Sequence, residues 1–329
     1  MNPQIAEIAQ TLLAGGRIER PQAEVLTRAT GTDVYDLLYW ANRIRVERCG
    51  EAVSFCSIAA LTVGGCTEDC AFCAQSARHR VDARRRQVLD DDEVLSAAEQ
   101  AVKNGAESFG LVTSGCRPTR SLIERVTALA DKLRRRVGIH LCAALGTIDG
   151  EQARTLRQAG IERYNHNLET SARFFPSIVT THTYADRLQT VAAVAGAGLS
   201  ICSGGIFGVG ENWADRLDMA FALRDCRPDV VPLNFLHPIA GTPLAQAAPL
   251  PPMEILQIIA VFRFIFPSAR IKVAGGREAN LRDLQSWMFF AGASSALIGN
   301  YLTTAGRPAD EDQQMLRDLG LMVERSHTP

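Results

Sequence analysis

The sequence predicts an α/β fold, a (β/α)8 barrel of the TIM type with an N-terminal helical extension. Eight short runs rich in β-branched or small apolar residues recur at 53–58, 107–113, 137–144, 161–166, 199–204, 229–235, 269–274 and 294–299. Amphipathic stretches such as DDEVLSAAEQAVKNG, SLIERVTALADKLRR and YADRLQTVAAVAGAG separate them, and several end in Gly or Asn-Gly, where a helix stops. The repeat of about thirty residues suits one strand–helix unit of such a barrel. An open doubly wound sheet is the competing architecture. No G-x-G-x-x-G follows the first strand, however, and GVGENW at 208–213 reads as a turn.

Taken in order, residues 1–50 form a helical segment: IAEIAQTLLAG, RPQAEVLTRAT and TDVYDLLYWANRIRVER space their apolar residues three to four apart. The barrel is expected over 51–305, and a helical cap or tail over 306–329. The Pro-rich stretch QAAPLPPMEI, 246–255, is a loop leading into a helix. In such a barrel the residues at the C-terminal ends of the strands face the active site.

Composition narrows the function. The 329 residues are 47% hydrophobic and carry a formal charge of −1, so nothing electrostatic favours nucleic acid or an anionic membrane as partner. The Arg runs at 84–86 and 134–136 read as solvated helix faces. No apolar stretch approaches the roughly 20 residues needed to span a bilayer, and the N-terminus lacks the pattern of a signal peptide. The expectation is a cytoplasmic protein. In that reducing compartment nine cysteines point to metal binding or redox chemistry and away from a disulfide framework.

The segment GGCTEDCAFCAQSARH, 64–79, sets Cys66, Cys70 and Cys73 in a C-x3-C-x2-C spacing directly after the first strand. A structural zinc site calls for a fourth ligand, and the neighbourhood offers only His79 among basic residues. A four-iron cluster held by three thiolates keeps one iron open for a small molecule. With Phe72 as its aromatic, the stretch resembles the radical S-adenosylmethionine (SAM) superfamily, whose motif is C-x3-C-x-aromatic-C. The resemblance implies a 4Fe-4S cluster whose open iron chelates SAM, and electron transfer that cleaves SAM to a 5′-deoxyadenosyl radical.

From about residue 50 to 321 the likeness is narrower. YNHNLETS (164–171), TTHTYADRLQTV (180–191), ICSGGIFGVGE (201–211), VPLNFL (231–236), GTPL (241–244), AGGRE (274–278) and FAGASSALIGNYLTT (290–304) resemble the biotin synthase family. That implies sulfur insertion into dethiobiotin, with the sulfur taken from a second, deeper iron–sulfur cluster. It also implies an external electron donor of flavodoxin or ferredoxin type, and a homodimer. By the same resemblance Phe72, Asn167, Glu169 and Arg187 contact SAM, Glu169 standing where the family usually has Asp. Asn165 and Asn234 would meet the ureido ring of the substrate.

The second cluster is where the sequence departs from the better-known pattern of three cysteines and one arginine. Cys142 and Cys202 match, but Gly110 stands at the third cysteine position and Lys272 at the arginine. Gly has no donor atom, and Lys ligates only when deprotonated. Cys56, in VSFCSIAA, is the expected replacement. If Val53 and Phe55 face outer helices, Cys56 faces the interior, in the layer that the first, third and fifth strands share. This resembles a second branch of biotin synthases with CSI before the SAM motif and LVTSG at the lost cysteine. Lys272 would stand beside the substrate and the cluster as donor or counter-charge. Cys116 has a weaker claim on the mouth of the barrel, and Cys49 and Cys226 have none. The competing functions are a radical SAM amino-acid mutase or metallocofactor maturase, and a structural iron or zinc protein.

Overall fold

The computed structural model describes residues 1–81, 87–299 and 306–324. The Arg84–Arg86 run and residues 300–304 of the last motif lie outside them, as does the expected barrel end at 305. Three helices open the chain, α1 (Pro3–Leu13), α2 (Arg20–Thr27) and α3 (Thr32–Cys49). Then β1 (Ser54–Val63) enters the sheet, with the short β2 (Gln87–Val88) antiparallel to its far end.

From there strand and helix alternate. α4 (Asp91–Lys103) leads to β3 (Ser108–Thr113), and α5 (Arg120–Arg136) to β4 (His140–Ala144). α6 (Gly150–Gln158) leads to β5 (Arg163–Asn165), and α7 (Tyr184–Gly196) to β6 (Ser200–Cys202) and β7 (Gly205–Phe207). α8 (Trp213–Asp225), β8 (Val230–Phe235), α9 (Pro252–Ile265) and β9 (Arg270–Val273) follow. The short α10 (Arg277–Leu281) and α11 (Trp287–Phe290) precede β10 (Ser295–Leu297), and α12 (Ala309–Asp318) is the last helix among the described residues. Reciprocal capping boxes at Asp90/Glu93, Asp149/Gln152, Thr183/Asp186 and Asn212/Asp215 start α4, α6, α7 and α8. Each fixes where a loop ends and its helix begins, for about 1 kcal/mol.

The barrel strands are parallel, and β10 pairs back onto β1 with Ser295 beside Ser54, closing the barrel. Side chains alternate along each strand. Phe55, Phe109, Leu141, Tyr164, Ile201 and Ile271 join the helices in one apolar layer. Their neighbours Cys56, Gly110, Cys142, Arg163, Cys202 and Lys272 are absent from that layer.

Two local differences from the sequence reading have physical causes. The run at 137–144 begins its strand only at His140, because Val137 still caps α5 by donating to Leu133 O. The fifth strand is broken into β6 and β7 at Ser203-Gly204. A Cβ on Gly204 would lie 1.9 Å from Pro232 O, so the backbone of β8 runs where a side chain would otherwise be. Near the end of the chain, Arg277 holds Asp312 in a fork, Nη1 to Oδ1 at 3.0 Å and Nη2 to Oδ2 at 2.8 Å. Both side chains are fully buried, which ties α12 to the barrel. No helix among the described residues is long and apolar enough to cross a membrane.

Candidate active site

A cavity of about 480 Å³ opens at the C-terminal ends of the strands. The three motif cysteines stand along its wall, facing Asn165, Asn167 and Glu169 after β5, Arg187 of α7 and Asn234 of β8. Lys272, Ala274, Leu297 and Ile58 also line it, and Ala274, Leu297 and Ile58 pack on Cys56.

The cysteine loop leaves β1 through Gly64 and Gly65, whose φ values of 78° and 70° suit glycine alone at little cost. It closes on itself through Cys66 N to Gln75 O at 3.0 Å and Ala77 N to Cys66 O at 2.7 Å. The segment before α7 then staples it down. Asp69 accepts from Thr180 N at 2.9 Å and from the hydroxyls of Thr180 and Thr181, and Ala71 N donates to Ile178 O at 2.8 Å. Glu68 accepts from Thr181 and pairs with the His182 ring. His79, the nearest histidine to the motif, meets Cys70 O through Nε2 at 3.0 Å and so braces the loop. Burial pushes the Cys70 thiol up to about 12 and raises that of Cys73. A metal bound here would have to displace protons from these groups. Among the described residues no three His, Cys, Asp or Glu side chains could hold a single metal ion. Three thiolates that each take a different iron of a cluster need not converge on one point.

Across the cavity, Glu169 has φ 71°, unusual for a residue with a side chain. The close approach of β7 enforces it, since Glu169 N donates to Gly204 O at 3.2 Å and Ile206 N to Glu169 O at 2.9 Å. Arg187 Nη1 donates to Asn167 O at 2.8 Å and reaches Glu169 Oε1 at 3.5 Å, with its guanidinium 5.4 Å from the centre of the Phe175 ring. Burial raises the Glu169 carboxyl against the pull of Arg187 and Asn167, and it lowers His166 to about 3, so His166 is neutral. Asn165 Oδ1 is buried without a partner among the described residues. Asn234 already spends one donor on Gly205 O, at 3.1 Å, and accepts from Gly275 N at 3.0 Å. Phe72 lines the cavity and packs on the small cluster around Phe175 and Val209.

Comparison with known proteins decides the family. The family model "Radical SAM superfamily" matches residues 61–223, and "Biotin and Thiamin Synthesis associated domain" matches 232–322. The chain is 48% identical to the biotin synthase of Citrifermentans bemidjiense, over 98% of each chain. It is likewise 48% identical to that of Heliobacterium modesticaldum, over 98% of this chain and 99% of the relative. This chain belongs to the biotin synthase family. It is a radical SAM sulfurtransferase that makes biotin from dethiobiotin, and membership brings a 4Fe-4S cluster and SAM. Solved structures bear out the fold alone. Methylornithine synthase overlays with TM-score 0.84 at 17% identity, over 97% of each chain. The FeFe-hydrogenase maturase HydG of Carboxydothermus hydrogenoformans overlays with TM-score 0.82 at 18% identity, over 97% of this chain and 78% of that one. The mutase and maturase alternatives thus rest on shape, whereas the biotin synthase kinship extends through nearly the whole sequence.

Within this biotin synthase, Cys56, Cys142 and Cys202 come together inside the barrel, all buried, from β1, β4 and β6. Burial raises Cys142 to about 12 and raises Cys202 as well, with Cys56 adding to both shifts. Lys272 Nζ lies 3.8 Å from Cys56 Sγ, and its charge acts on Cys202 as well. Burial alone would lower its pKa, but Cys202, Cys56 and Cys142 as thiolates outweigh that and raise it. Sequence reasoning missed Arg163, whose Nη1 lies 4.0 Å from Cys142 Sγ. A charged residue at the start of a strand ordinarily marks a solvated end, and only the inward register of β5 reveals it. Cys116 lines the outer cavity near Glu68. Cys49 sits against Arg263 Nη1 at 3.3 Å, and Cys226 reaches back to Ala222 O at 3.4 Å.

Proposed function

We propose that this biotin synthase works with two clusters stacked in one barrel. Cys66, Cys70 and Cys73 would hold the 4Fe-4S cluster, whose chemistry when bound is the reductive cleavage of SAM. Cys56, Cys142 and Cys202 would hold an auxiliary iron–sulfur cluster beneath the cavity floor, the source of the inserted sulfur. The observation that carries this reading is the grouping of three interior thiols with the cations Lys272 and Arg163, directly below a cavity walled by the other three cysteines. Thiolates are the ligands iron–sulfur clusters take, and fixed cations offset the charge that three of them concentrate in a buried space.

The chain's residues then divide the work. Arg187 and Glu169 present a cation and a carboxylate to the two ends of the SAM amino acid, and Arg187 can fork onto a carboxylate. Asn167 sits between them, and Phe72 packs beside the cluster loop. Asn165 Oδ1, buried and unpartnered, accepts a ureido N–H of dethiobiotin. Asn234 adds its remaining donor and acceptor capacity, and Lys272 closes the floor between substrate and auxiliary cluster. An external flavodoxin- or ferredoxin-type donor, a homodimer and a cytoplasmic setting complete the reading. The cytoplasm suits nine cysteines that are all unpaired.

Iron and sulfide analysis of anaerobically reconstituted protein tests it. More than four irons per chain, lowered in Cys56→Ala with the SAM-cluster spectrum intact, is the expected result. Four irons in the parent protein would sink the second cluster.

A further inference from the structure

We propose that Arg163 is a positioning residue of the inner site, its guanidinium holding and tuning the auxiliary cluster through charge and through a hydrogen bond from Nε. The inference rests on the two-cluster reading and deepens it. In the sheet Arg163 pairs with Cys142 on one side and Ser200 on the other, which sets its side chain level with the thiol on the interior face. Tyr164, next in sequence, faces outward and donates its hydroxyl to Gly146 O at 2.7 Å. Nη1 reaches Cys142 Sγ at 4.0 Å.

The nearby carboxylate, Glu107, is committed elsewhere. It pairs with Arg270 Nη1 at 2.7 Å and faces His140 at 3.9 Å. Arg163 Nε is buried and has no acceptor among the described residues. An unmet donor on a buried cation is costly, and an electron-rich sulfide of a cluster between the three thiolates is the acceptor the geometry leaves for it. Lys272 balances it from the opposite side, at Cys56 and Cys202. A cluster gains negative charge on reduction, so a fixed cation and an N–H donor beside it favour the reduced form and raise the potential.

The test uses the full chain with Cys66, Cys70 and Cys73 replaced by Ala, so that only the inner cluster assembles. Its iron content, electron paramagnetic resonance spectrum and midpoint potential are compared with those of the same protein carrying Arg163→Gln or Arg163→Lys. The expected result for Arg163→Gln is a negative shift of the potential, or loss of inner iron that Arg163→Lys restores. An unchanged potential and spectrum at full iron content in Arg163→Gln would overturn the proposal. Should Arg163→Gln not fold, Arg163→Lys decides alone: it keeps the charge and loses the Nε donor. A spectrum and potential identical to the parent's would then refute the hydrogen bond. No inner iron in the parent itself would defeat the two-cluster reading, an outcome separate from a failure of Arg163.

Discussion

Ile58 stands over Gly110. The two residues pair across β1 and β3, and a Cβ added at Gly110 would lie 3.1 Å from Ile58 Cγ2. The side chain missing on β3 is thus matched by a branched one on β1, two residues after Cys56. The thiol of Cys56, the bare backbone of Gly110 and the side chain of Ile58 form a single packed arrangement.

Gly110→Cys alone is therefore expected to destabilise the protein by about 1–3 kcal/mol through overpacking. Ile58→Ala in the same chain should relieve much of that, giving a non-additive pair. Urea unfolding of the two single variants and the double variant measures the coupling, and strict additivity would refute the contact.

Arg187→Met removes the cation that faces Glu169 while keeping most of the side-chain volume over Phe175. Loss of a charge-assisted hydrogen bond of about 1.5–3 kcal/mol predicts SAM binding weaker by roughly ten- to hundredfold. Calorimetry on the reconstituted enzyme reads this directly, and dethiobiotin affinity should change little.

Glu169 occupies a backbone conformation that disfavours most side chains and tolerates Asp or Gly better. Glu169→Gly should leave thermal stability equal or higher while SAM binding falls sharply. Glu169→Asp should retain binding within a few-fold. A melting temperature lowered by Glu169→Gly would contradict the strain argument.

Burial would raise the Asp69 carboxyl, but hydrogen bonds from Thr180 and Thr181 hold it down to about 2. Its folded pKa is depressed, so its stabilising contribution is complete above the ordinary value of 3.8 and vanishes as pH falls through about 2. The stability difference between wild type and Asp69→Asn, measured on apoprotein, should be constant at pH 5 and above and close across that window. A gap that persists at pH 2 would count against the staple.

Arg277→Met leaves Asp312 buried without its fork. The expected cost is about 3–5 kcal/mol, with α12 released before the barrel melts. Hydrogen exchange that rises first over 309–318 would bear this out.

Much of this was legible in the chain, for identifiable reasons. β1, β3 and β8 carry enough β-branched and apolar residues to read as strands unaided, and the alternation Phe55-out, Cys56-in follows from a period of two. The break at Ser203-Gly204 was not legible as a break, because its cause is Pro232 O on another strand. Asn165, Asn167 and Glu169 stand out as a polar motif at a strand end, whereas the left-handed backbone of Glu169 comes from β7. Arg163 and Ile58 carried no signal. A charge at a strand end suggests water and an isoleucine in a strand suggests core, and both acquire their meaning only from residues across the barrel.

Cys56 lies near the start of β1, and the loop with Cys66 leaves just beyond its end. Both sets of thiols are thus indexed by one continuous ten-residue strand. In the loops between strands and helices an added or lost residue is absorbed. Within β1 before Cys56 the same event would turn that thiol to the outer face, and after it would change the span to Cys66. This strand works as a ruler for both sets at once, and natural or engineered length variation should be tolerated in the barrel's loops and forbidden between Cys56 and Cys66.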